Sequence, residues 1–223
     1  MDWLIEFLDR FLAFQVEDLP FIVVSLVIAF TVHEFAHAYV AYKFGDDTAA
    51  KQGRLTLNPV QHLDPLGTLL ILLFGFGWAR PVPVNRFKFS KPRLAGVMVS
   101  VAGPLSNFLL AFIGFVLLFL MFQVNTSGSM QFLIDFLDRF VFINLLLFVF
   151  NLLPFPPLDG FRIIQDLVPS SVRPKLTKLE PFGALFFLFV VLTPLSGYII
   201  EPIFFTFIPL FQQFFTMLLS VFV

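Results

Sequence analysis

Residues 30–39 read FTVHEFAHAY and set three ionisable side chains, His33, Glu34 and His37, inside the first long apolar run of the chain. That run covers residues 19–44, longer than the roughly 20 apolar residues of helix that cross a bilayer core. Each charged residue at the centre of a bilayer costs on the order of 2.5–3.5 kcal/mol. Three such residues in one segment therefore demand partners. On a helix, residues four apart share a face and lie about 6 Å apart along the axis. His33 and His37 are placed to turn two imidazoles toward one ion, with Glu34 about 100° further round the helix.

The composition agrees with a membrane setting. Of 223 residues, 58% are hydrophobic and 13% charged, with 35 phenylalanines and a mean hydropathy of +0.91. Soluble domains average about 45–50% apolar and about 25% charged residues. The length suits one compact domain. The absence of cysteine excludes disulfides and thiolate metal ligands. A net charge of −1 gives no reason to expect a nucleic-acid partner.

Along the chain, residues 1–18 read as an acidic amphipathic segment lying at a membrane interface. Its IEFLDRF at 5–11 is echoed by IDFLDRF at 134–140. Residues 66–78 are apolar but short for a crossing, which predicts a re-entrant or buried element. PVPVNRFKF at 81–89 alternates like a short strand, confined to an edge because Pro81 and Pro83 have no N–H. Further spanning helices are expected at 94–123, from 139 to 153, and as a pair within 181–223 that turns at Glu201-Pro202. The fold class is an all-α membrane protein, a bundle of about five transmembrane helices with a re-entrant or short β element near the active site. Residues 19–180 form its catalytic core and 181–223 its C-terminal helices.

H-E-x-x-H on a helix is a Zn²⁺ site in which the glutamate acts as a general base. A catalytic zinc takes three protein ligands, so a third must come from elsewhere. His62, in LNPVQHLDP, is one candidate. The other is Asp159 in NLLPFPPLDG, where Pro154, Pro156 and Pro157 interrupt a helix. Irregular backbone at membrane depth occurs where it is buried in protein or lines a wet cavity, which favours delivery of Asp159 into a polar interior. The rival reading is a metal-ion transporter using the same cluster as a transit site. No inverted repeat of the kind many transporters carry is visible.

HEFAH at 33–37 of this run, NPVQH at 58–62, AGPLSN at 102–107 and NLLPFPPLDG at 151–160 together resemble the site-2 protease family of intramembrane zinc metalloproteases. The resemblance covers about residues 27–165, and no PDZ domain interrupts it. It implies His33, His37 and Asp159 as ligands of one Zn²⁺, and Glu34 as the catalytic glutamate. It also matches Asn151 to the family's asparagine near the zinc and Asn107 to the asparagine of its G-P-x-x-N stretch on the preceding helix, which makes both candidates for a catalytic role. Amide donors suit an oxyanion, and interhelical hydrogen bonding is the alternative for both. His62 either orients a ligand or fixes its loop. GWARPVPVN at 77–85 resembles the family's membrane-associated hairpin, whose edge an unwound substrate joins by strand addition.

The expected function is a zinc metalloendopeptidase that cuts peptide bonds in or beside transmembrane segments, with a membrane-protein substrate, a lipid bilayer and no nucleic acid as partners. A bacterial plasma membrane is the expected location. Residues 43–93 hold eight lysines and arginines and 162–178 hold four, while only Arg10 and Arg139 lie elsewhere. Basic residues favour cytoplasmic loops, which sets both blocks on the cytoplasmic side if 66–78 dips in and returns.

Overall fold

The computed structural model describes residues 14–74, 77–123 and 130–222. The interfacial helix expected over the N-terminal segment falls mostly outside them, as does the loop at 124–129. Among the described residues the structure is helical, without strands. The helices are α1 (Leu19–Lys43), α2 (Thr48–Lys51), α3 (Pro65–Phe74), α4 (Pro92–Gln123), α5 (Gln131–Asn151), α6 (Asp159–Leu167), α7 (Arg173–Val191), α8 (Ser196–Ile199) and α9 (Glu201–Leu219). Among the described residues, three stretches are long and apolar enough to cross a membrane: 16–43, which is α1 with a preceding turn, α4 and α9.

α1 ends where Gly45 adopts φ 101°, a conformation that suits glycine. The Asp46 N–H then reaches Ala41 O and the Gly45 N–H reaches Tyr42 O, which closes the last turn of the helix. Ile22, Leu26, Ala29 and Phe30 of α1 form a buried core with Ile71 of α3 and Ile143 and Leu147 of α5. A second core joins α4, α5 and α9 through Ala111, Val141, Leu145, Val149, Ile208 and Phe215. These cores hold α1, α4 and α5 side by side, and the candidate site lies between them.

α5 starts eight residues before the expected 139, because the polar stretch with Asp135, Asp138 and Arg139 is itself helical. Arg139 pairs with Asp18 at 3.0 Å, which ties this end of α5 to the start of α1. The break expected at Glu201-Pro202 lies earlier, in residues 192–200 around α8. Pro202 falls in the first turn of α9, where a missing N–H leaves no helical bond unmade.

Gly77 and Trp78 lie against the start of α3. A Cβ on Gly67 would lie 2.1 Å from Trp78 O, and one on Gly77 would lie 2.0 Å from Gly67 O. Only glycines allow the start of α3 to touch the chain returning from it. Beyond Trp78, the Arg80 N–H donates to His62 O at 2.8 Å and the Ser90 N–H to Phe44 O at 3.2 Å. Lys88 pairs with Asp47 at 2.5 Å. The two basic stretches flanking 66–78 are therefore neighbours.

The strand expected at 81–89 does not form, and the destinations of its amides explain why. Pro81 and Pro83 have no N–H. The Val82 N–H donates to Glu34 Oε2 at 2.8 Å and the Asn85 N–H to Asp46 Oδ2 at 2.6 Å. Residues 86–88 then make a turn of 3-10 helix. Donors that a ladder needs are committed to single side chains.

Candidate active site

α1 carries His33, Glu34 and His37 buried on its inner side. α5 stops at Asn151, residues 152–158 run irregularly through the three prolines, and Asp159 is the first residue of α6. This break brings Asp159 to the histidines. Its Oδ2 lies 3.2 Å from His33 Nε2 and 3.2 Å from His37 Nε2, and the two Nε2 atoms are 3.0 Å apart.

The other nitrogen of each ring is fixed by α4. His33 Nδ1 donates to Asn107 Oδ1 at 2.7 Å, and His37 Nδ1 donates to Val99 O at 2.7 Å. Both acceptors are carbonyl oxygens, so each imidazole is protonated at Nδ1 and turns the Nε2 lone pair inward. Two nitrogen lone pairs and a carboxylate oxygen thus converge on one point. Such a set repels itself unless a cation lies between its members. Tetrahedral zinc with ligands at about 2.0–2.1 Å sets neighbouring ligand atoms about 3.3 Å apart, close to the observed triangle. The donors fit zinc.

α4 reaches this close because residue 103 is glycine. A Cβ there would lie 2.3 Å from His37 Nε2 and 2.6 Å from His33 Nε2. Asn107 is fully buried, and its Nδ2 donates to Ala29 O at 3.3 Å and to Asn144 Oδ1 at 3.1 Å. Its amide thus joins α1, α4 and α5 and orients His33. Asn144, also fully buried, donates to Phe140 O at 2.9 Å and completes this bridge. Asn151 donates to Leu147 O at 2.9 Å.

The group opens into a cavity of about 300 Å³, lined by His33, Glu34, His37, Asn151 and Asp159 together with many apolar residues. Val82 lines it as well, and its amide holds Glu34. Behind this contact, Arg54 Nη2 donates to Arg80 O at 2.6 Å. Burial and the neighbouring Arg80 charge press the Arg54 guanidinium below the usual arginine range, while Glu34 opposes them. His62 is fully buried and its Nε2 hydrogen-bonds Thr56 O at 2.6 Å. It is not among the residues that converge on the metal position. Of the two third-ligand candidates, Asp159 is brought to the histidines and His62 fixes a loop.

Sequence reasoning missed the Val82 amide, the Val99 carbonyl, Asn144, Arg54 and the closeness of Gly103. Of these, only Gly103 and Val82 lay in stretches already singled out, AGPLSN and GWARPVPVN.

Residues 119–194 match the family described as Peptidase family M50. The chain is 59% identical over 198 residues to "Putative zinc metalloprotease YwhC" of Bacillus subtilis, which spans 87% of this chain and 90% of that protein. It is 30% identical over 197 residues to "Putative zinc metalloprotease Rip2" of Mycobacterium tuberculosis, spanning 83% of this chain and 72% of that one. Over 150 residues it is 33% identical to "Putative zinc metalloprotease MJ0611" of Methanocaldococcus jannaschii, spanning 64% and 70%. No solved structure matches at a significant level. The family match contains Asp159 but not the HEFAH histidines, whereas the Bacillus likeness runs through most of the chain, and on that likeness the chain belongs to peptidase family M50.

Proposed function

We propose that this protein is an intramembrane zinc endopeptidase that hydrolyses peptide bonds in or beside transmembrane segments of other membrane proteins. The observation that carries the reading is the triangle of His33 Nε2, His37 Nε2 and Asp159 Oδ2 at 3.0–3.2 Å, with Glu34 lining the same cavity. When bound there, Zn²⁺ polarises the scissile carbonyl and acidifies a water.

Glu34 is the general base and then the general acid. Its Oε2 is held by Val82, while Oε1 has no hydrogen-bond partner among the described residues and is free to receive the proton of the attacking water. As the carbon–nitrogen bond breaks, Glu34 returns that proton to the leaving amine. Asn151 has one Nδ2 hydrogen on Leu147 O and directs the other at the oxyanion. Asn107 acts through His33 as a positioning residue. The substrate helix enters locally unwound, since its carbonyls are otherwise bonded within the helix, and Gly or Pro eases that opening.

We read the protein as multi-pass in a bacterial plasma membrane. α5 and α7 join α1, α4 and α9 to make five crossings, and α3 dips in and returns. Residues 19–180 carry catalysis, and 181–223 pack against that core. An ion-transit role has little support, because Asn107 and Val99 lock both rings in a ligating state suited to a resident ion.

The test is metal content and cleavage of a transmembrane substrate by purified wild type and Glu34→Gln. Glu34→Gln is expected to retain one zinc and lose cleavage by about 10²–10⁴-fold. Full proteolysis by that variant would falsify the mechanism.

A further inference from the structure

α6 sets Asp159, Arg162 and Asp166 at i, i+3 and i+7, on one face of the helix. Arg162 is exposed and lines the cavity. Its N–H reaches Leu158 O at 3.4 Å, but its guanidinium makes no ion pair or hydrogen bond among the described residues. Arg86 lines the same cavity, and its Nη1 donates to Asp166 Oδ1, one turn along α6 from Arg162. Arg173 Nη2 lies 3.2 Å from that same oxygen. Asp166 is buried at 2% exposure, with its other carboxylate oxygen against Gly96 and without a hydrogen bond.

One buried carboxylate therefore faces two guanidiniums, and Arg162 adds a third positive charge. Of the two arginines that line the cavity, Arg86 is matched by Asp166, and the Arg162 guanidinium is left without a carboxylate partner among the described residues. Further along the cavity, the carboxylates of Glu34 and Asp159 are offset by the dication proposed between the histidines. Most of the remaining lining is apolar, and apolar walls strengthen the field of the charges they enclose.

We propose that Arg162, with Arg86 beside it, forms a subsite for an acidic side chain of the substrate, so that the enzyme selects an Asp or Glu close to the scissile bond. The inference rests on the proteolytic reading above. A planar guanidinium matches a carboxylate with two parallel hydrogen bonds. Arg162 sits one helical turn from Asp159, about 4.5 Å along the axis. An extended substrate advances about 3.3 Å per residue, which sets the acidic residue within about four positions of the cut. An anionic lipid headgroup offers similar charge, but Arg162 faces the cavity that holds Glu34 and Asp159, which favours the substrate.

The test uses full-length protein in vesicles of phosphatidylcholine alone, which supply no anionic lipid. Transmembrane substrates carry a single Glu, Lys or Gln at each of four positions on either side of the cut. At one position or two adjacent ones, wild type is expected to favour Glu over Lys by about tenfold or more in kcat/KM. Arg162→Gln should bring that ratio close to one, and Arg162→Glu should invert it. Ratios taken within one variant cancel any loss of folded enzyme. A Glu/Lys ratio near one at every position in wild type overturns the subsite, as does an unchanged ratio in both variants. A Glu preference that arises only after anionic lipid is added would assign the arginines to the headgroup and overturn it too. If wild type cleaves none of the series, the Gln substrates included, the proteolytic reading falls and the subsite falls with it.

Discussion

The Val82 N–H donates to Glu34 Oε2 across 2.8 Å and so fixes the orientation of a carboxylate 48 residues earlier in the chain. Between Pro81 and Pro83 it is the sole amide donor, and the residue before this trio is anchored from two sides. The Arg80 N–H reaches His62 O and Arg80 O accepts from Arg54. Arg54 is thus predicted to position Glu34, the proposed general base, without touching substrate. Arg54→Ala leaves Arg80 O without its buried partner, and kcat should fall by about tenfold. KM and bound zinc should stay unchanged, with Arg54→Lys recovering part of the rate. A change confined to KM would remove Arg54 from this role.

Gly103 gives a second prediction. Alanine is the better helix former by about 1 kcal/mol, so Gly103→Ala should not harm α4 itself. Its Cβ would meet His37 Nε2 at 2.3 Å. The variant should remain monodisperse and helical by circular dichroism yet lose zinc. Full zinc occupancy would show that the two helices separate more easily than this contact implies.

Asp159 and His62 are separated by a third measurement. Asp159→Ala removes one of the converging donors and should lower zinc affinity by at least about tenfold. His62→Ala removes a buried loop contact and should lower the unfolding temperature while affinity for zinc stays near wild type. The opposite ranking of affinities would return His62 to the metal.

A fourth prediction concerns sidedness. The chain has no cysteine, so single cysteines can be labelled without background. Asp47→Cys, Ser90→Cys and Ser171→Cys should react with an impermeant maleimide from the cytoplasmic face, and Met130→Cys from the opposite face. Labelling of positions 47 and 90 from opposite faces would mean that residues 66–78 cross the membrane.

The parts of this molecule that were legible in its sequence are those where a side chain itself carries the signal. HEFAH in an apolar run marks α1, and three prolines before Asp159 mark the break between α5 and α6. The lone pairs turned inward by His33 and His37 were not legible, because one depends on the main-chain carbonyl of Val99 and main-chain groups are the same at every position. Glu34 was recognised, but its partner is an amide, again without a signature. The alternation in PVPVNRFKF was read by side-chain period, whereas hydrogen-bond destinations decided the outcome. For Asn107 the residue type offered either an oxyanion role or interhelical hydrogen bonding. Its partners turned out to be His33, Ala29 and Asn144, a geometry that requires three helices at once.

α4 contributes none of the converging metal donors, yet it touches both histidines. Gly96, Ser100, Gly103 and Asn107 recur along its buried face, whereas Leu94, Met98, Leu105 and Leu109 are exposed. A saturation scan of residues 94–109 will therefore beat with the helical period. Every third or fourth position will accept almost no replacement, and those between them will take nearly any lipid-soluble residue. The severity at Gly103 should rival that at His33, so a ranking of this chain by mutational sensitivity will mark as essential a residue that has no side chain.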